Sequence, residues 1–146
     1  MARHRSTAYV DESQRPGRDL LTVVVVGVQA QAPARQHLCG LRLRNEAQIH
    51  FAHSSDRRRR QLLVAMAAID AVAVTLVVRS AAGRSATQAR DLLVQAAAVE
   101  AAGLGAGRLV LERRTAAEDQ RDRQSLARAA TDLAYQHADP RAEPLL

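Results

Sequence analysis

Two stretches of the chain are apolar almost without interruption, Leu20 to Val28 and Ala71 to Val78. Valine-rich runs of this length read as strands covered on both faces. In the second run Val72, Val74, Leu76 and Val78 share one face, and Ala73, Thr75 and Val77 share the other. Residues 7–12 are β-prone as well, and Gln14-Arg15-Pro16-Gly17-Arg18 supplies turn chemistry ahead of the first run. Together they predict an antiparallel hairpin. Gln48 to Ala52 predicts a short third strand, which makes 71–78 the fourth and Arg108 to Glu112 the fifth.

Helical periods fill the gaps. Pro33 is read as opening a short helix that faces inward through Leu38, Leu41 and Cys39 and ends near Arg44-Asn45. Ser54-Ser55-Asp56 caps the next, with Leu62, Leu63, Met66 and Ile69 as its apolar stripe. Thr87 to Ala102 is an Ala-rich helix stopped by the glycines of 103–107, and Ala116 to Ala130 is a charged one, weakly amphipathic through Leu126, Ala129 and Ala130. No repeat or long linker intervenes, so residues 1–146 are expected to be one domain. The alternation predicts an α/β fold of the ribonuclease-H-like class: a mixed five-stranded sheet with helices on both faces. In it 7–12 pairs antiparallel with 20–28 and lies parallel beside 71–78.

Composition narrows the picture. At 146 residues the chain can bury ~70% of its unfolded surface. With one phenylalanine, two tyrosines and no tryptophan, its core must be built from Ala, Val and Leu. All 21 lysine-or-arginine positions are arginine, which together with the alanine excess points to a GC-rich coding sequence. The net charge of +6 permits attraction to a polyanion, but composition bias gives the same number. Cys39 stands alone, which excludes an internal disulfide and a Cys-pair zinc site and fits a reducing cytoplasm. No apolar run reaches the ~18 residues of a membrane span. Arg3 and Arg5 followed by the valine run imitate a secretory signal, but Asp11, Glu12 and Asp19 stand where such a signal is basic. A cytoplasmic chain is expected.

The candidate chemistry begins at Tyr9-Val10-Asp11-Glu12-Ser13, two adjacent carboxylates closing the first strand. This segment resembles the opening Y-x-D-E-S motif of a large uncharacterised family of bacterial and phage proteins. Ile49-His50-Phe51, Leu109-Val110-Leu111-Glu112, Tyr135-Gln136-His137 and Glu143-Pro144-Leu145-Leu146 extend the similarity across about residues 7 to 146. The resemblance implies a ribonuclease-H-like fold and a metal-dependent nuclease, with Asp11 as first metal ligand. It also implies a further apolar helix carrying a last acidic ligand after Leu146. The expectation is therefore a C-terminally truncated domain, inactive for want of that helix. Leu145 and Leu146 would then be poorly anchored, and an uncovered apolar face would favour oligomers or a protein partner.

Strand alternation forbids Asp11 and Glu12 from entering one site together. Asp11 is paired instead with Glu112, another strand-end carboxylate, as ligands of Mg²⁺ acting on a phosphodiester. A fourth strand lying between them would hold them ~10 Å apart, a gap that a pair of ions ~4 Å apart could bridge. Solvated strand-end acids are the plain alternative. Asp119 and Asp122, three apart on a helix, could complete the carboxylate cluster, or pair with Arg123 on a solvated face. His50 is a candidate proton carrier; His53 would point the other way from the same strand. Arg57, Arg58, Arg59 and Arg60 form a collar at a helix start that could contact nucleic-acid phosphates, or a solvated first turn. The glycines of 103–107 lie between helix and strand, the wrong order for a dinucleotide fingerprint. Two readings follow: a metal-dependent nuclease-like domain, or a catalytically silent α/β domain that binds a polyanion or a protein through its arginines.

Overall fold

The computed structural model describes residues 6–146; Arg3 and Arg5 lie outside them. Strand β1 (Ser6–Arg15) turns at Pro16-Gly17 into β2 (Arg18–Val26). Gly17 takes a φ of 74°, which the third position of a Pro-led turn requires and other residues resist. Helix α1 (Val28–Gly40), a 3₁₀ turn (Phe51–His53) and α2 (Asp56–Ala67) lead to β3 (Ala71–Arg79). Then come α3 (Ala86–Gly103), β4 (Ala106–Glu112), α4 (Ala116–Ala129) and β5 (Ala134–Ala138).

The five strands form one sheet in the order β3-β2-β1-β4-β5. β1, β2 and β3 make an antiparallel meander, while β4 and β5 run parallel to β1. The hairpin and the five-stranded mixed sheet are as expected, but two strand assignments change. Residues 48–52 form no strand, because Phe51 to His53 close a 3₁₀ turn. The 71–79 strand therefore pairs antiparallel with β2 rather than parallel with β1, and 106–112 takes the place beside β1. Ala134–Ala138, to which the sequence pattern assigns no element, is the fifth strand.

The two sides of the sheet are unequally filled. Ala8, Val10, Leu21, Val23, Leu109 and Leu111 face α3, whose stripe of Leu93, Val94, Ala97, Ala98 and Ala101 is buried against them. Capping boxes at Ser85/Gln88 and Thr115/Glu118 fix the starts of α3 and α4. Helix α4 turns Asp119, Asp122 and Ser125 inward with Leu126, so its inner face is mostly polar. That corrects the solvated face suggested by its alternating charges.

The opposite side holds a smaller cluster of Tyr9, Val26 and Val110, flanked by Ala30 of α1 and by Leu145 and Leu146. The expectation of a loose end is overturned there. Arg35 of α1 donates to both carboxylate oxygens of Glu143 at 2.9–3.2 Å and to the Tyr9 phenol at 2.6 Å, which pins the final residues over the sheet. Helix α1 starts five residues before Pro33, and Cys39 is exposed. In α2 only Leu62 is buried; Leu63 and Met66, assigned to the same stripe, are more than half exposed. Among the described residues no helix is long and apolar enough to cross a membrane.

Candidate functional site

β1 delivers its two neighbouring carboxylates to different sides. Val10 lies in the larger core, so alternation places Glu12 with the α3–α4 side and Asp11 with Tyr9 on the α1 side. Asp11 stands one position beyond the Val10–Leu111 pair, level with Glu112 at the end of β4. Because β4 lies directly beside β1, the separation is that of neighbouring strands, ~4.8 Å, in place of the wider gap expected from an intervening strand. Asp139, just past the end of β5, is close enough for its charge to act on Glu112.

The electrostatics of this rim are those of crowded acids that Arg114 only partly compensates. Burial raises the Asp11 carboxyl above its ordinary value; the Glu12 N–H, donated to Oδ1 at 2.9 Å, opposes that, and the charge of Glu12 adds to it. Glu112 is raised too, first by burial and then by Asp11 and Glu12, with Arg114 opposing and Asp139 adding a smaller push. Hard carboxylate oxygens at one rim, with Asp11 and Glu12 both disfavouring charge on Glu112, fit a divalent cation such as Mg²⁺.

A second polar centre lies on the other side of the sheet, under α4. Arg90 of α3 meets Glu12 through Nε and Nη2 at 2.9–3.0 Å, and holds Asp122 through both terminal nitrogens. Burial works against charge on Arg90, but the hydrogen bonds and charges of Asp122 and Glu12 outweigh it and hold the guanidinium above its usual value. His137 of β5 brings Nε2 to 3.1 Å from Asp122 Oδ2 and 3.6 Å from Asp119 Oδ1. Arg114 reaches Glu12 at 3.4 Å and Glu118 at 2.8 Å, and its backbone N–H donates to Asp119 Oδ1 at 3.0 Å. Beside this network a cleft of about 340 Å³ opens between the β1–β2 hairpin and the first turns of α3 and α4. Glu12, Asp19, Arg90, Arg114 and Glu118 line it.

The sheet thus brings Asp11 and Glu112 together and keeps Asp119 and Asp122 apart from them on its other side. His50 is exposed in the α1–α2 connection, its ring edge-on to His53 at 6.1 Å. The two histidines are not on opposite faces of a strand, since no strand forms there. The arginine collar divides. Arg58 donates to Leu41 O and pairs with Glu46 at 3.3 Å, and Arg59 donates to Phe51 O and Ala52 O, stapling the connection before α2. Arg57 and Arg60 are exposed.

Sequence reasoning missed Arg90, Arg114, His137 and Asp139. Arg90 carried a signal, because it heads the 90, 93/94, 97, 101 stripe of α3, where a cation is out of place without buried acids to meet it. His137 carried little, since the exposed Ala134-Tyr135-Gln136 start of β5 shows no strand pattern.

No protein-family model and no curated protein matches the chain. Solved structures do. The complex of PCNA with RNase HII from Archaeoglobus fulgidus matches with a TM-score of 0.59 and 14% identity, over 96% of this chain and 66% of that one. A mutant of Bst-RNase HIII matches with a TM-score of 0.57 and 11% identity, over 97% of this chain and 47% of that one. The chain therefore spans between about half and two thirds of the length of these proteins. At such identities the likeness concerns the backbone alone. With its mixed sheet and four helices, this chain has a ribonuclease-H-like α/β fold.

Proposed function

We propose that the chain is a metal-dependent nuclease-like domain acting on nucleic-acid phosphodiesters, with Asp11 and Glu112 as its metal ligands. The observation that carries the reading is the placement of these two carboxylates at the ends of adjacent parallel strands, where each is raised by burial and by acidic neighbours. Divalent cations relieve that kind of strain, and an all-oxygen donor set suits Mg²⁺. Bound there, the ion would supply Lewis acidity to a phosphodiester. The ribonuclease names of the structural neighbours agree with this chemistry.

The chain's own residues hold the rim in shape. The Glu12 N–H orients the Asp11 carboxylate, and the neighbouring Arg114 tempers the charge on Glu112. Exposed Arg57 and Arg60 remain open to backbone phosphates, while Arg58 and Arg59 are committed to the fold.

The test is cleavage of labelled RNA–DNA hybrid, single-stranded RNA and duplex DNA by the purified chain with Mg²⁺ or Mn²⁺. Cleavage that disappears in Asp11→Asn and in Glu112→Gln is expected. Absence of cleavage on all three substrates, or cleavage indifferent to both substitutions, overturns the reading.

A further inference from the structure

The centre under α4 has the parts of a second metal site, of different chemistry and on the opposite side of the sheet from Asp11 and Glu112. Asp119, Asp122 and His137 each present one donor atom, and all three lie within 4.8 Å of one another, the only such set among the described residues. The spacings from His137 Nε2, 3.1 Å to Asp122 and 3.6 Å to Asp119, bracket the ~3.3 Å edge of a tetrahedron with ~2.0–2.1 Å metal–ligand bonds.

Three further observations point the same way. The donors are already oriented by neighbours: Arg90 holds both oxygens of Asp122, and the Arg114 N–H donates to Asp119 Oδ1. Outer contacts of this kind fix metal ligands in place. The centre is rich in acids, because the four carboxylates of Glu12, Asp119, Asp122 and Glu118 meet the two guanidinium groups of Arg90 and Arg114 and the imidazole of His137. Acids in excess of guanidinium groups around the fully buried Asp122 are a setting in which a divalent ion offsets charge. Finally, Ser125, one turn beyond Asp122 on the same inward face of α4, buries a hydroxyl with no hydrogen-bond partner among the described residues.

We propose that Asp119, Asp122 and His137 bind one divalent ion of the zinc class, tying α4 to β5. An imidazole nitrogen beside carboxylate oxygens selects Zn²⁺ or Co²⁺ over Mg²⁺, whereas the all-oxygen rim of Asp11 and Glu112 has the reverse preference. The role is structural: the ion joins the only helix between β4 and β5 to the edge strand that follows it.

Co²⁺ titration in the presence of excess Mg²⁺ tests this, read by the visible ligand-field bands and by thermal unfolding. One equivalent should bind and raise the melting temperature, and the same should hold in the Asp11→Asn/Glu112→Gln double variant. Affinity should fall at least tenfold in His137→Gln and in Asp119→Asn, with circular dichroism checking that each is folded. Asp119→Asn is the safer variant, because Asp119 lies at the edge of the buried cluster. Absence of a cobalt spectrum with Mg²⁺ present, or equal affinity in a folded Asp119→Asn or His137→Gln chain, overturns the proposal. Neither outcome bears on cleavage at the other rim, so the two readings fail separately.

Discussion

The carboxylates of Asp11 and Glu12, one peptide bond apart, belong to opposite sides of the sheet. Glu12 is locked to Arg90, while Asp11 stands beside Glu112, whose charge only the neighbouring Arg114 tempers. Substitution of each should therefore separate stability from chemistry. Glu12→Gln is expected to lower stability by about 1–3 kcal/mol, because it weakens charge-assisted bonds to a half-buried arginine. Asp11→Asn should instead reduce Mg²⁺-dependent cleavage by about a hundredfold or more while leaving the fold intact. Urea titration and cleavage rates of the two variants check both halves.

The rim also has a pH signature. The folded carboxyls of Asp11 and Glu112 lie above their ordinary values of 3.8 and 4.5. Between those values and the raised ones, the folded chain holds more protons than the unfolded chain, so stability falls as pH rises through that window. The deficit persists at neutral pH. Metal-free Asp11→Asn should consequently be at least as stable as the parent at pH 7, with the advantage vanishing below about pH 4. Unfolding followed from pH 3 to pH 7 in the presence of a chelator measures it.

Arg90 is the single residue whose loss should cost most. It bridges Glu12 and the fully buried Asp122, and its removal leaves a buried carboxylate with only His137 as partner. Arg90→Ala is expected to destabilise by about 3–5 kcal/mol. Arg90→Lys should recover only part of this, since one ammonium cannot reproduce the forked contact. Thermal unfolding of the two variants ranks them.

The tail is held by a small set of bonds around Arg35. Arg35→Ala removes the paired contact to Glu143 and the bond to Tyr9, and should cost about 1–2 kcal/mol. Amide exchange should quicken in residues 143–146 and in α1 and leave α3 unchanged. Equal exchange in both regions would contradict the latch.

Within the arginine collar, Arg57→Ala and Arg60→Ala should weaken binding to a polyanion column and reduce its salt dependence. Arg59→Ala should instead expose the 41–55 connection to protease, because its guanidinium spans Phe51 O and Ala52 O.

Much of the sheet could be read directly from residues. The valine runs and the Pro16-Gly17 turn located β1, β2 and β3, but β3 is an edge strand with one face exposed and not covered on both, so its valines marked a strand without marking burial. Two errors had one physical origin. Ile49-His50-Phe51 has β propensity yet no partner strand, so it closes a 3₁₀ turn. Ala134-Tyr135-Gln136 has weak propensity but lies in reach of β4's unpaired edge, and it forms a strand. Pairing partners decided both, and propensity carries no information about partners. Removing the false strand shifted 106–112 next to β1, and this placed Glu112 level with Asp11. The polar centre under α4 was legible only at Arg90, since alternating acids and arginines look alike whether they face solvent or a buried histidine.

The unequal filling of the two sides has a consequence for motion. Fourteen buried residues anchor the side facing α3 and α4, and three form the cluster on the side of Asp11 and Glu112. Opening energy in a protein follows local apolar contact, so the second side should breathe while the first stays shut. The carboxylate rim thus sits exposed on a stiff sheet, beside a thinly packed cover of α1 and the final residues that the Arg35 bonds hold in place. A long substrate could displace that cover without unfolding the sheet that positions the carboxylates.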